Sequence, residues 1–231
     1  MLKPGPSVIA ALAVTAALVT ISTAAAITGG GVDGEAHPYV GALVVNGSVE
    51  CSGVLVAPTV FATAGHCGTD GARVAVSFDS KLTSGWSLLG GTLKVDPSKG
   101  ADLAVVVLDA PTRVVPATLP AAGSAGALGK GAPVTSVGYG YSSWAADGSF
   151  VYDGLRHAAS SPVTKVSKTM LVLSTTTAGP CLGDSGGPQL SGRTVLSVTS
   201  SGSKDCSGKA EGYRLDTPSA RAFLTSFVTL P

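Results

Sequence analysis

Residues 180–190 read PCLGDSGGPQL, which places a single hydroxyl, that of Ser185, among glycines and directly after an acidic residue. Glycine adopts positive φ angles and allows close backbone approach, so the stretch predicts a tight turn that holds one side chain forward. A serine held in this way is a candidate nucleophile, although an ordinary hairpin loop would have a similar composition. The rest of the chain has to distinguish the two interpretations.

Short β-like runs follow one another along most of the chain after Ile27. Valine and threonine dominate the runs, and turn-forming residues separate them, which predicts an all-β sandwich or barrel. Asn46-Gly47 predicts a type I′ hairpin turn, and Thr217-Pro218 predicts the capped start of a C-terminal helix. The runs span residues 39–45, 54–63, 73–78, 103–108, 134–139, 170–174 and 194–200.

Residues 1–26 have the order of a secretory signal peptide. Lys3 precedes an apolar run over residues 8–21, and Ala24–Ala26 supplies a small-residue cleavage site. The run of about 14 residues is short of the roughly 20 that cross a bilayer. We therefore expect a secreted, extracellular protein that keeps no membrane attachment after cleavage.

The charge balance argues against an electrostatic partner. The whole chain has 15 basic and 14 acidic residues, and loss of residues 1–26 removes Lys3 and no acid, which leaves 14 of each. Proteins that bind nucleic acid or anionic membranes need an excess of basic residues. The sequence therefore predicts neither as a partner.

All four cysteines lie in the part that would be exported: Cys51, Cys67, Cys181 and Cys206. An even number in an oxidising compartment favours disulfides, and four cysteines leave three pairings open. A zinc site is the rival interpretation, but the chain has no C-x-x-C knuckle. We expect no metal and no cofactor.

The order of the histidines and Ser185 separates two hydrolase classes. Residues 183–187 match G-x-S-x-G, the nucleophile elbow of α/β-hydrolases, in which the histidine follows the serine. Here His37, His66 and His157 all precede Ser185. The elbow interpretation is therefore disfavoured, and the base must come from upstream.

His66 and Asp102 are the candidates for the base and for the acid that orients it. His66 ends an apolar run beside a cysteine, and Asp102 opens the apolar run DLAVVVL. A buried carboxylate best stabilises the imidazolium that forms during proton transfer. Each feature alone is common at a surface, but the order His66, Asp102, Ser185 is specific. His37 and His157 are predicted to be solvated, without a chemical role.

Five motifs give the chain a resemblance to the chymotrypsin-like (trypsin-fold) serine peptidases, of the short secreted bacterial type. Gly65 departs from the usual alanine and Tyr139 from the usual tryptophan, and neither departure removes a catalytic group. The motifs are TAGHC at 63–67, DLAVVVL at 102–108, GDSGGP at 183–188, ITGG at 27–30 and VGYG at 137–140.

The resemblance implies a fold of two six-stranded antiparallel β-barrels with a C-terminal helix, in one peptidase domain over residues 27–231. The two halves would cover about 27–120 and 121–231. By this resemblance the protein is a monomeric serine endopeptidase that hydrolyses protein or peptide substrates through an acyl-enzyme. His66, Asp102 and Ser185 would be catalytic, and the backbone N–H groups of Gly183 and Ser185 would form the oxyanion hole.

The family pattern also implies pairings. Cys51 would bond to Cys67, and Cys181 to Cys206. The ammonium of Ile27, exposed by cleavage, would insert beside Asp184. Ala26 occupies the position before Ile27 where the family usually has Arg or Lys, so signal-peptide cleavage itself would liberate that ammonium.

The specificity pocket implied by the resemblance has Gly179, followed by Pro180, at its floor, and its walls come from residues 198–201, which end at Ser201, and from around Gly212. A floor without a carboxylate predicts hydrophobic or mid-sized substrate side chains rather than arginine or lysine. Glu211 lies near the wall; it is expected to point to solvent, and the alternative is an inward carboxylate that attracts a basic side chain. The remaining alternative function is a catalytically silent peptidase-fold binding protein.

Overall fold

Strands make up nearly all of the regular secondary structure. The computed structural model describes residue 1 and residues 27–82, 85–144 and 149–231. Residues 2–26, most of the predicted signal peptide, lie outside the described residues. The elements are β1 (Gly31–Val32), β2 (Val40–Val45), β3 (Ser48–Ala57), β4 (Val60–Thr63), β5 (Arg73–Ser77), β6 (Leu89–Val95), β7 (Ala104–Leu108), β8 (Pro133–Gly138), β9 (Ser143–Trp144), β10 (Phe150–Val151), β11 (His157–Val166), β12 (Met170–Ser174), β13 (Pro188–Ser191), β14 (Thr194–Gly202), β15 (Lys209–Arg214) and α1 (Pro218–Leu224).

The first barrel closes in the order β2-β3-β4-β7-β6-β5, and all of its strand pairs are antiparallel. Side chains alternate along each strand, so one set from every strand points into the barrel. Leu43, Leu55, Phe61, Leu93 and Val106 are fully buried there. This packing fixes the ends of β4 and β7, which carry residues of the candidate site.

The second barrel has the order β8-β11-β12-β15-β14-β13 and is closed by the pairing of β8 with β11. The two-residue strand β1 adds to β11, so the segment near Ile27 belongs to this second sheet. Val134, Leu171, Leu173 and Leu196 form part of its core. The two six-stranded antiparallel barrels and the single C-terminal helix confirm the predicted fold.

Each of the seven predicted runs contains a strand, but the run over residues 54–63 holds the end of β3 and all of β4. Pro58 ends β3 because proline has no N–H to donate to a ladder. Strands β6, β11, β13 and β15 and the two-residue strands β1, β9 and β10 were not predicted. Glycines, polar residues and prolines interrupt their apolar alternation, for example Gly90-Gly91 in β6 and Pro162 in β11.

Two local predictions are confirmed by backbone geometry. Asn46 and Gly47 have φ angles of 51° and 84° between β2 and β3, and a type I′ turn requires two positive φ angles. At α1, the Thr217 side chain accepts a hydrogen bond from the Ala220 N–H. The buried face of the helix includes Ala220 and Leu224.

Two disulfides have the pairing that the resemblance implied. Cys51 bonds to Cys67 across 16 residues, and Cys181 bonds to Cys206 across 25 residues. Loops of this length restrict the unfolded chain enough for each bond to stabilise the fold by about 3 kcal/mol in the chain-entropy account. The first bond braces the turn that contains His66, and the second braces the turn that contains Ser185.

The prediction that His37 and His157 are solvated is wrong for His157. The His157 side chain is fully buried, and its Nε2 lies 2.9 Å from Asp153 Oδ2. His37 is partly buried and pairs with Asp33. Asp33 also pairs with the fully buried Arg156 at 2.8 Å. The pairing of Arg156 with Asp33 was not visible in the sequence because the two residues lie 123 positions apart, whereas each histidine pairs with an aspartate only four positions away.

The barrels touch where the turn around Ser185 meets the first barrel. A Cβ at Gly186 would collide with Thr63 Oγ1. It would also lie 2.5 Å from the Ser52 carbonyl oxygen and 2.7 Å from the Ala64 nitrogen. The φ angle of Gly186, +79°, is also in the region that favours glycine.

Within the described residues, no helix has the length and apolarity to cross a membrane.

We expect Gly186→Ala to lower the free energy of unfolding by at least about 2 kcal/mol, since it adds backbone strain to overpacking. Urea denaturation of the variant and the parent measures the loss. Gly129→Ala is the control, because a Cβ at Gly129 would meet nothing within 4 Å. Equal midpoints for Gly186→Ala and Gly129→Ala would contradict the close-approach argument.

Candidate active site

The pairing of β4 with β7 brings His66 next to Asp102. Thr63 lies opposite Ala104 in the antiparallel register, so the end of β4 and the start of β7 are neighbours. His66 follows β4 in a 3₁₀ turn, Gly65–Cys67, and Asp102 precedes β7. The His66 Nδ1 lies 3.0 Å from each Asp102 carboxylate oxygen, and the His66 backbone N–H donates to Asp102 Oδ1 at 3.0 Å.

Asp102 also accepts a hydrogen bond from the second barrel. The Ser200 hydroxyl of β14 donates to Asp102 Oδ2 at 2.5 Å. The Asp102 side chain is 19% exposed, so it is largely buried. Sequence reasoning placed Ser200 only in a run of pocket-wall residues and missed this contact, because a serine in a serine-rich strand carries no distinguishing signal.

The hydrogen bonds shift both titrations in directions that favour the charged pair. The hydrogen bond to Asp102 raises the pKa of His66 above its ordinary value of 6.5, against an opposing effect of burial. Burial alone would raise the pKa of Asp102, but hydrogen bonds from His66 and Ser200 outweigh it and hold that pKa below 3.8. Asp102 is therefore ionised at neutral pH, and the His66 imidazolium is stabilised.

Ser185 lies in the tight turn that its sequence predicts. The Gly187 N–H donates to the Asp184 carbonyl at 2.9 Å, and the Ser185 carbonyl accepts from the Ser52 N–H of β3 at 2.8 Å. Ser185 and His66 line the same cleft at the junction of the barrels. Among the described residues no hydrogen bond joins the His66 ring to Ser185 Oγ, a contact that often forms only with substrate present.

The N–H groups of Gly183 and Ser185 have no hydrogen-bond acceptor within the described part of the chain. Gly183 has a φ of +88°, and a Cβ there would lie 2.8 Å from Gly140 Cα. Its carbonyl oxygen accepts a hydrogen bond from the Ser52 hydroxyl at 3.1 Å, which fixes the peptide between Gly183 and Asp184. Two unpaired N–H groups beside a forward-facing serine suit an acceptor that carries negative charge.

Asp184 lies beneath this turn and is 1% exposed. Its carboxylate accepts hydrogen bonds from the N–H groups of Gly140 at 2.8 Å and Cys181 at 2.9 Å. Burial raises the pKa of Asp184 to about 7, against the opposing effect of hydrogen bonds that include one from the Ile27 N–H. The fully buried Ile27 therefore contacts Asp184 through its backbone N–H.

A pocket of about 260 Å³ opens on the other side of Ser185. Of the residues predicted for the specificity pocket, Pro180 and Ser201 line it, whereas Gly179, Glu211 and Gly212 are not among its lining residues. The Glu211 carboxylate pairs with Lys209 Nζ at 2.7 Å. The lining residues are Pro180, Cys181, Leu182, Ser185, Thr199, Ser200, Ser201, Gly202, Ser203 and Lys204.

One cluster of possible metal-binding atoms lies beside the site: Cys51, His66 and Cys67 offer one donor atom each within 4.8 Å of one another. Both cysteines are joined in a disulfide, so their sulfurs are not thiolates. A thiolate is the form of cysteine that binds a metal. This cluster therefore does not have the chemistry of a metal site.

Comparison with known proteins agrees with this geometry. A family model described as "Trypsin" matches residues 27–223. A protein named "Trypsin" from Saccharopolyspora erythraea is 31% identical over 190 residues, which cover 72% of this chain and 82% of that protein. The atomic-resolution structure of a protein called HBP superposes with a TM-score of 0.72 at 16% identity, covers 89% of this chain and 98% of its own, and supports the fold alone. The chain belongs to the trypsin family, a family of serine peptidases.

Proposed function

We propose that the protein is a secreted serine endopeptidase that cleaves protein or peptide substrates through an acyl-enzyme. The observation that carries this proposal is the His66–Asp102 pair, which opens on the same cleft as Ser185. A histidine oriented by a carboxylate beside a displayed hydroxyl is the arrangement that activates a serine nucleophile. The balanced charge of residues 27–231 and the closed disulfides suit a protein that acts alone outside the cell.

In the proposed mechanism, Ser185 Oγ attacks the carbonyl carbon of the scissile bond while His66 Nε2 takes its proton. Asp102 stays ionised, holds the proton on Nδ1 and stabilises the imidazolium. His66 then gives the proton to the leaving amine, and an acyl group remains on Ser185. In the second half, His66 activates a water molecule that releases the acyl group.

The N–H groups of Gly183 and Ser185 would receive the negative charge that develops on the carbonyl oxygen. Neither donor has to break a hydrogen bond within the protein before it can receive this charge, and donors that are free in advance reduce the cost of reorganisation. Loss of one such donor costs about 3 to 4 kcal/mol of transition-state stabilisation in other enzymes. The acceptor-free state of both groups supports this role.

The nucleophile is tested by covalent labelling. A fluorophosphonate or sulfonyl fluoride should label Ser185 in the secreted protein, because only an activated hydroxyl reacts rapidly. Labelling should be lost in Ser185→Ala and slowed by a factor of at least about 10³ in His66→Ala. Peptide mapping by mass spectrometry identifies the labelled residue.

Labelling of another residue, or an unchanged labelling rate in His66→Ala, would contradict the assignment of Ser185 as the nucleophile and His66 as its base. A protein that is not labelled, yet keeps a physiological activity in Ser185→Ala, would favour the silent binding protein instead.

The raised pKa of His66 predicts the acid limb of the pH profile. The reaction needs neutral His66, so kcat/KM should rise with pH around a midpoint above 6.5. Replacement of Asp102 by Asn removes the interaction that raises the pKa, so the midpoint of the residual activity should move to lower pH. Initial rates with a peptide amide between pH 5 and 9 measure both midpoints. A wild-type midpoint at or below 6.5 contradicts the assignment.

We further propose that cleavage after Ala26 activates the enzyme. The Ile27 N–H already donates to Asp184 in the uncut chain, and cleavage would turn this group into an ammonium beside the buried carboxylate. A buried carboxylate without a charged partner is unfavourable, and pairing removes that penalty. Asp184 directly precedes Ser185, so its charge state bears on the shape of the oxyanion hole.

The charge of Asp184 gives this activation a pH signature. Without the ammonium, the pKa of Asp184 is about 7 when folded and 3.8 as the ordinary value. The folded state then binds the Asp184 proton more tightly than the unfolded state does. The contribution of this proton to the free energy of unfolding is therefore full below pH 3.8 and is lost as the pH rises to 7. A chain with one methionine before Ile27 should show this fall in stability and have little activity. A chain that begins at Ile27 should be fully active and should not lose stability over this pH range.

Thermal melts between pH 4 and 8 in a Ser185→Ala background measure the stability without self-cleavage. Asp184→Asn should flatten the profile of the methionine-extended chain. Identical profiles for the extended and processed chains, or full activity in the extended one, would refute the mechanism.

A further inference from the structure

We propose that Lys204 makes the pocket beside Ser185 selective for an acidic substrate side chain. The substrate residue concerned is P1, which supplies the scissile carbonyl, and the preferred residues are glutamate and aspartate. This inference rests on the peptidase activity proposed above and names its substrate class. It replaces the preference for hydrophobic or mid-sized side chains that the sequence predicted.

The position of the pocket decides which substrate residue enters it. Ser185 is one of its lining residues, and so are Ser200 of β14 and Pro180 before the nucleophile turn. A side chain attached next to the carbonyl carbon that Ser185 attacks would therefore occupy this space. Its volume of about 260 Å³ accommodates one side chain of moderate size.

The wall chemistry of the pocket favours an anion. Four of its ten lining residues bear hydroxyl groups besides Ser185, and Lys204 is the sole charged residue that lines it in the described chain. An apolar side chain would take those hydroxyls from water without replacing their hydrogen bonds, which is unfavourable. A carboxylate would accept a hydrogen bond from any of them whose proton is not already donated.

Lys204 is available for such a contact. In the described residues its ammonium makes no hydrogen bond or ion pair, although Asp205 is its neighbour in sequence. Asp205 Oδ1 accepts from the Ser207 N–H at 3.2 Å, and Asp205 does not line the pocket. The charge of Lys204 is thus not neutralised across the pocket wall.

The other acidic groups nearby are already paired. Glu211 bonds to Lys209 Nζ at 2.7 Å, and its second oxygen lies 3.4 Å from the Ser201 hydroxyl. Asp102 is paired with His66 and Ser200. Neither carboxylate is a lining residue, so the pocket keeps one net positive charge.

The hydroxyl of Ser203 supplies a second donor. Its oxygen accepts from the Lys209 N–H at 3.4 Å, and its own proton is not used in the described structure. The Ser200 and Ser201 protons, in contrast, are directed to Asp102 and Glu211. A P1 carboxylate would therefore be held by the Lys204 ammonium and the Ser203 hydroxyl, whereas a P1 lysine or arginine would be repelled.

The test compares peptide substrates that differ only at P1: Glu, Gln, Leu and Lys. Glutamine matches glutamate in shape without the charge, so the Glu/Gln ratio of kcat/KM isolates the electrostatic contribution. We expect a ratio of roughly five or more that falls as salt is added, since the pair is partly exposed. Titration with the Ser185-directed reagent counts active enzyme in every sample.

Lys204→Met should bring the Glu/Gln ratio close to one, and Lys204→Glu should favour the P1 lysine substrate. Lys168→Met is the matched control: Lys168 lies on the same barrel but lines a separate cavity beside α1, so the ratio should not change. A wild-type preference for leucine over glutamate, or a Glu/Gln ratio that survives in Lys204→Met, overturns the inference.

A binding arm separates this inference from the proposed activity. In Ser185→Ala, calorimetry with peptides that end in Glu or Gln should show tighter binding of the glutamate peptide, and the difference should vanish in the double variant with Lys204→Met. Failure of Ser185 labelling together with this binding difference would refute the peptidase and keep the acidic pocket. Labelling without the difference would refute the pocket and keep the peptidase.

Discussion

The close approach of the glycine-containing turn around Ser185 to the first barrel is the constraint on which the site depends. Gly186 lies where any side chain would run into Thr63 and Ser52 of the first barrel. Because the turn is that close, the Ser52 N–H reaches the Ser185 carbonyl and the Ser52 hydroxyl reaches the Gly183 carbonyl. The serine turn is thereby held against the barrel that carries His66.

The hydrogen bonds of Asp102 connect the same two barrels a second time. His66 comes from the first barrel, and Ser200 comes from β14 of the second, yet both contact one carboxylate. Pocket and cleft meet at this junction, because Ser185 and Ser200 also line the pocket. Rotation of one barrel against the other would therefore disturb the acid, the base and the pocket wall together. Two independent sets of contacts make such a rotation costly.

Sequence alone determined the features that depend on local chemistry. The glycines around Ser185, the turn at Asn46-Gly47 and the cap at Thr217 follow from backbone preferences of neighbouring residues, and the structure has each of them. The five motifs were enough to identify the fold and the disulfide pairing. Strands such as β6 and β15 escaped detection because glycine and charged residues hide their alternation, and burial in a barrel overrides such weak propensity.

Only the tertiary structure decided which distant side chains meet. Ser200 pairs with Asp102 across 98 positions of the chain, and no local pattern separates it from the serines around it. The burial of His157, at the start of β11, was likewise decided by the packing of the second barrel and not by its neighbours in sequence. The position of Lys204 at the pocket was also decided by the tertiary structure, because the function of a charged side chain depends on the groups that surround it. Sequence gives the candidates for such contacts, and the packing of two barrels selects among them, since long-range distances are set by the whole chain.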